Sequence, residues 1–317
     1  MDDQYLHDLR RAPSPEFAAR LRANLSTQGA PSRARHRSPV AQWLAAAAAI
    51  AAMSFAFTFP EVRVGAAAFL DLFRVVNFAG VRFDPQRLAG LKAGGVGLPS
   101  LLGDIEPLTE PTPPVSYADP HEAGQAAGIE LKLPAWVPPG WTLAETVVTA
   151  AHSARVTANT AKLQTVLDAL ALDDVRLPDG LDGQVATVHL PAVVVMTYRD
   201  GPRALRLIEA RSAEVSFPAG FDVPALAQAG LRILGLNRDA AYRMAYSIDW
   251  RNTLVVPVPV DAASFRQVNV AGAEGLLIEI ERAPGGRQLL WSTNGQMYVL
   301  AAPLGAAEML EMAQSLQ

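Results

Sequence analysis

Residues 276–316 read LLIEIERAPGGRQLLWSTNGQMYVLAAPLGAAEMLEMAQSL. Asn294-Gly295 sits between two strand-like runs, 288–292 and 296–301, and is the strongest short hairpin signal a sequence can carry, because a two-residue turn of the favoured type needs positive φ at both central positions. Leu276, Ile278 and Ile280 alternate against Leu277, Glu279 and Glu281, which predicts a strand over 276–281 with one dry face and one largely wet. Residues 306–316 then place Met309, Leu310, Ala313 and Leu316 on one helical stripe, expected to cover that dry face. Strands over 254–260 and 265–270 extend the pattern upstream. The fold class that follows is α+β, an antiparallel β meander packed with helices.

Further upstream, two helices over 223–234 and 238–248 are joined by Gly235-Leu236-Asn237, an αα-hairpin pattern. The run 185–198 is strand-like with Pro191 as a break or bulge, and 204–217 returns antiparallel across Asp200-Gly201. Leu163, Val166, Leu167 and Leu170 share one face of a helix over 160–172. A strand over 141–150 follows the Pro138-Pro139-Gly140 turn, and a short helix occupies 122–128. The folded α+β domain is therefore assigned to 121–317. Residues 94–120 are rich in Gly and Pro and read as a linker. The GGVG within them lacks the Gly-Lys-Ser/Thr ending of a phosphate loop. Phe69, Leu70, Phe73 and Val76 mark 61–93 as a juxtamembrane helical segment.

Residues 40–60, VAQWLAAAAAIAAMSFAFTFP, carry no charge and follow the basic cluster Arg33, Arg35, His36 and Arg37. A helix of about 20 mostly apolar residues spans a bilayer core, so this run reads as a single transmembrane helix. Basic residues before it put residues 1–39 in the cytoplasm and the remainder outside, at the cell (inner) membrane. A cleaved signal peptide, a buried helix of a soluble domain and a surface-lying helix remain the alternatives. Small residues in the anchor permit close packing and hence a homodimer. Within 1–39, Ser14 can cap a helix that starts at Pro15 and Glu16. Its stripe Phe17, Leu21 and Leu25 either rests on the membrane or docks a cytoplasmic partner.

Among 317 residues there is no cysteine, and net charge is only −4. That excludes disulfides, thiolate nucleophiles and cysteine-ligated zinc, and gives no footprint for nucleic acid. The five histidines, His7, His36, His121, His152 and His189, show no pair at ligand spacing. Asp173-Asp174 reads as a solvated helix end rather than a calcium site, and Glu279/Glu281 as solvated decoration of a strand's polar face, with lining of a groove as the alternative. No nucleophile elbow or nucleotide motif appears, so no enzyme activity, cofactor or metal is expected. Trp136 and Trp141 flank the Pro138-Pro139-Gly140 turn. Packing is their ordinary role, and an exposed Trp pair on a rigid turn is the one candidate binding surface.

The ending LLWSTNGQMYVLAAPLGAAEMLEMAQSL and the segment IELKLPAWVPPGWTL together resemble a bacterial extracytoplasmic domain family of unknown function. Members occur in single-pass proteins classed as anti-sigma-factor-like regulators. The resemblance covers about residues 121–317 and implies a non-catalytic outer domain, an unknown extracytoplasmic ligand or protein, and a sigma factor or other cytoplasmic regulator as partner. It departs from the zinc-type members, whose cytoplasmic His-x-x-x-Cys-x-x-Cys pattern this chain lacks, with 39 residues ahead of the apolar run. A membrane-anchored binding or carrier module without cytoplasmic signalling is the other expectation.

Overall fold

The computed structural model describes residues 77–87, 103–110, 112–218, 221–250, 252–260, 263–280 and 286–317. Its elements in chain order are β1 (Asn77–Phe83), β2 (Asp104–Pro107), β3 (Val115–Tyr117), α1 (Pro120–Ala127), β4 (Thr142–Thr149), β5 (His152–Thr157), α2 (Thr160–Ala169), β6 (Val185–Leu190) and β7 (Val193–Asp200). They continue with β8 (Arg203–Arg211), β9 (Glu214–Ser216), α3 (Val223–Ile233), α4 (Arg238–Ser247), β10 (Thr253–Pro259), β11 (Ala263–Val270), β12 (Ala273–Ile280), β13 (Arg287–Thr293), β14 (Gln296–Ala302) and α5 (Ala306–Gln314). The fold is α+β with antiparallel sheets.

An eight-stranded sheet has the order β11-β12-β13-β14-β8-β7-β4-β3, and a four-stranded sheet has the order β2-β5-β6-β9. The first four strands of the large sheet form a meander, with Asn294 at φ 52° and Gly295 at φ 75° in its tightest turn, as the Asn-Gly pair requires. The strands β4, β7 and β8 in the large sheet and β5, β6 and β9 in the small one stand in matching order. Each pair is one chain segment bent between sheets, at Ala150-Ala151, Pro191-Ala192 and Ser212-Ala213. Such corners are how a strand passes from one packed sheet to another. Pro191, which cannot donate to a ladder, stands at one of them.

β1 and β10 form a separate parallel ribbon, from Asn77 opposite Thr253 to Phe83 opposite Pro259. It lies on one face of the large sheet, where Phe78, Leu254 and Val258 join Leu276, Ile278 and Leu290 in one buried cluster with Ala227 and Leu231 of α3 and Ala241 of α4. At β1, Gly80 makes the approach feasible, because a Cβ there would lie 2.5 Å from the Phe265 ring. The opposite face buries Leu207, Leu277, Leu289 and Leu300 with Met309 and Met312 of α5 and Ala123 of α1. We call these the ribbon face and the helix face. Side-chain caps close the helix starts, with Asp119, Asn159, Asp222 and Asn237 each accepting a backbone N–H, each worth about 1 kcal/mol.

Three expectations change. Leu276 and Leu277 are both fully buried, so the strand has two dry faces. The one-sided look came from Glu279 near its end, where it pairs with Arg287 at 3.2 Å. The terminal helix covers the face of Leu277, not that of Leu276. Finally, β1 lies inside the segment 61–93 read as helical, while β2 and β3 lie inside the linker 94–120. They pair with β10, β5 and β4 respectively, so the folded unit begins ahead of residue 121. Such pairings bring together residues far apart in sequence, and local composition does not report them. Residues 1–39 and 40–60, with Phe17, Leu21 and Leu25, lie outside the described residues. No helix among those described is long and apolar enough to cross a membrane.

Candidate functional site

Register places one row of side chains across the whole large sheet: Val115, Val148, Val194, Glu209, Tyr298, Trp291, Gly275 and Val268. All lie on the helix face, since β-strand side chains alternate and this parity includes Leu207 and Leu300. In the middle, Glu209 has no exposed surface. Its Oε2 accepts hydrogen bonds from the Lys132 backbone N–H at 3.1 Å and from Gln296 Nε2 at 3.2 Å. Its Oε1 has no partner. Burial pushes the carboxyl up to about 7, only partly opposed by those hydrogen bonds and the Lys132 charge. Desolvation penalises the charged form, and two donors do not replace a hydration shell. The phenols above and beside it respond in turn: burial first and the Glu209 charge second push Tyr198 up to about 12 and raise Tyr298. Tyr298 stacks on Trp291 with ring centroids 5.1 Å apart.

The covering segment is itself held at both ends. Gln296 Nε2 also donates to the Glu130 carbonyl at 3.0 Å. Leu133 exchanges backbone hydrogen bonds with Gln317, Ala135 N–H donates to the Ser315 carbonyl, and Trp136 N–H donates to Ser315 Oγ. Residues 129–143 and 289–316 thus meet along this strip.

One step further along the strands, Arg211 stands opposite Gln296 and at the end of an open groove of about 540 Å³. The groove lies at the bend between the two sheets. Val115, Val148 and Ala192 form its floor, Gln125 to Gly128 at the end of α1 form a wall, and His189 contributes from the small sheet. Among the described residues Arg211 is the only lining residue with a fixed charge, and no carboxylate lines the groove. At its rim Ser153 Oγ and His189 Nδ1 are 2.9 Å apart on neighbouring strands. Glu214 faces His189 in register on the third strand, but no hydrogen bond or ion pair joins them. The pair therefore lacks the orienting carboxylate that nucleophilic catalysis uses. Among the described residues no group of three or more metal-ligating side chains converges.

Of the residues singled out from sequence, Trp141 is buried at 7% exposure, with the Arg203 guanidinium 5.0 Å from its ring centroid. Trp136 is half-buried against the helix-face cluster. The two do not form an exposed platform, because the Pro138-Pro139-Gly140 turn folds Trp141 inward beneath Arg203. Asp174 accepts from Arg232 at 2.7 Å, which holds its carboxyl below the usual range, and Glu279 pairs with Arg287; both are structural. Glu209 and Arg211 were missed. Their signal was parity, since in ALRLIEAR both fall in step with the inward Leu205 and Leu207.

A comparison with protein families, with curated proteins and with solved structures found no match for this chain.

Proposed function

We propose that the chain is a single-pass regulatory protein of the anti-sigma-factor-like kind, anchored in the inner membrane by residues 40–60, with the α+β unit outside and residues 1–39 in the cytoplasm. In this proposal the unit is non-catalytic and binds a ligand or protein in the groove that ends at Arg211. The short helix with Phe17, Leu21 and Leu25 reports occupancy to a sigma factor or other regulator. The observation that carries the proposal is the uncharged run 40–60 behind Arg33, Arg35 and Arg37, which separates a short basic leader from a large folded unit. One helix transmits little unless it pairs or is cut, so a homodimer belongs to the same proposal.

A second reading, an anchored binding module with no inner partner, is favoured by the groove, whose described lining residues belong to the α+β unit. The experiment that separates the two is affinity purification of the full chain from native membranes beside a version lacking 1–39 but keeping a basic flank. A cytoplasmic regulator found only with the full chain supports signalling. Identical partners in both samples leave the anchored module.

A further inference from the structure

We propose that the groove takes a free carboxylate on a linear apolar chain, a medium-chain fatty acid, with the carboxylate on Arg211 and the chain lying across the strands toward Val115. The proposal rests on the outer unit being a binding domain.

Charge supplies the first part of the argument. The protein as a whole carries net charge −4, yet among the described residues no acidic side chain lines this groove and Arg211 does. No ion pair holds Arg211 among the described residues, unlike Arg155, Arg203, Arg232 and Arg287, each of which has a carboxylate. A guanidinium presents a planar fork that fits a carboxylate with two parallel hydrogen bonds. His189 adds a polar ring at the same end of the bend. The nearest buried acid on the strand, Glu209, is pushed up to about 7 and so carries only part of a charge at neutral pH.

Shape supplies the second part. From Arg211 on β8 the floor runs over Ala192 beside β7 and Val148 on β4 to Val115 on β3. That crosses three strand intervals, roughly 14 Å, the reach of an extended chain of about ten to twelve carbons. Much of the remaining lining is small and apolar, with Ala126, Ala150 and Pro191 beside those residues and Thr112, Tyr117 and Gln125 as its polar members, and Val115 is 53% exposed. The apolar part of that surface offers area to methylenes at about 25 cal/mol per Å². An extended peptide would need to run along β3, and its terminus would then stand three strands from Arg211.

The test uses the full chain in lipid nanodiscs and a dodecanoic acid carrying a photoreactive diazirine near its tail, with adducts located by peptide mass spectrometry. Labelling of peptides that contain Val115, Val148 or Ala192 is expected. Dodecanoate should compete it away, dodecanol should not, and Arg211→Gln should lower it at least tenfold while Arg211→Lys restores part. Arg211 is exposed, so neither variant threatens the fold. Adducts confined to residues 40–60, equal competition by dodecanol, or full labelling of Arg211→Gln would each overturn the proposal. The same preparations are scored for a retained cytoplasmic regulator. Loss of labelling with the regulator present defeats the fatty-acid assignment alone, whereas absence of the regulator defeats the signalling proposal.

Discussion

The ribbon face and the helix face of the large sheet are both dry, but they bury different things. On the ribbon face Leu276, Ile278 and Leu290 meet an apolar layer of ribbon and helices, and the polar residues buried on that side, Thr197 and Ser292, carry only hydroxyls. On the helix face a carboxyl group sits midway along a row of Val, Tyr and Trp, with one oxygen unsatisfied, next to a strip made from two distant pieces of chain. A hydroxyl finds a nearby carbonyl, as Ser292 does on Gln296. A buried carboxylate does not come free of cost, and this one lies on the same face as the groove.

The largest expected effects test whether both faces are core. Leu276→Ala and Leu277→Ala each remove a fully buried side chain, and each should cost about 2–5 kcal/mol by urea unfolding. A near-zero cost for Leu277→Ala would restore the one-sided sheet implied by alternation alone.

Next comes the pH dependence that only the helix face predicts. Glu209 in the fold binds its proton more tightly than an ordinary glutamate at 4.5, holding it to about 7. The folded state therefore takes up more protons than the unfolded chain between those values, and stability falls as pH rises through them. The contribution is fully present below about 4.5 and gone above about 7. Its size is of the order of 3 kcal/mol, at 1.36 kcal/mol per pH unit. Glu209→Gln should flatten this slope, raising stability at pH 8 relative to pH 5 when compared with the parent protein. A parallel slope in the variant would mean that Glu209 is solvated.

Gly80→Ala probes how closely the ribbon lies on the sheet. The new methyl would meet the Phe265 ring at 2.5 Å, so the ring or the ribbon must move, at about 1–3 kcal/mol. A neutral result would show that the ribbon is loosely laid rather than packed.

The sequence made elements legible wherever the signal was local. The Asn294-Gly295 turn, the α3–α4 pair around Gly235 and the break at Pro191 all follow from backbone chemistry confined to two or three residues. What stayed hidden depended on partners far along the chain. β1 buries Phe78, Val81 and Phe83, a spacing that is not an alternation, because Gly80 yields to Phe265. β2 and β3 are three or four residues each and mostly exposed, so their proline-rich surroundings outweighed them. The groove was illegible for the same reason: its lining comes from β3, α1, β4, β8 and the small sheet at once. Glu209 and Arg211 were within reach, since a charge in step with Leu205 and Leu207 must be buried, exposed by a strand end, or functional.

The smallest effect bears on Trp141, the residue whose setting sequence left open. Arg203 is about half exposed, and besides lying over the indole it donates to Asp200 and to the Pro303 carbonyl. It therefore ties the Pro138-Pro139-Gly140 turn to the end of β14 through one guanidinium. Arg203→Gln keeps length and some hydrogen bonding but removes the cation from the ring, and should cost about 0.5–1 kcal/mol, the range for such contacts at exposed sites. The shift in unfolding midpoint would be small, so Trp141 fluorescence is the sharper readout. If Arg203 is the roof over the ring, emission moves to longer wavelength as water reaches the indole, and acrylamide quenches it more efficiently. If the indole is instead sheltered by the helix-face core alone, both signals stay as they were, and the turn would owe its inward fold to apolar packing without help from the charge.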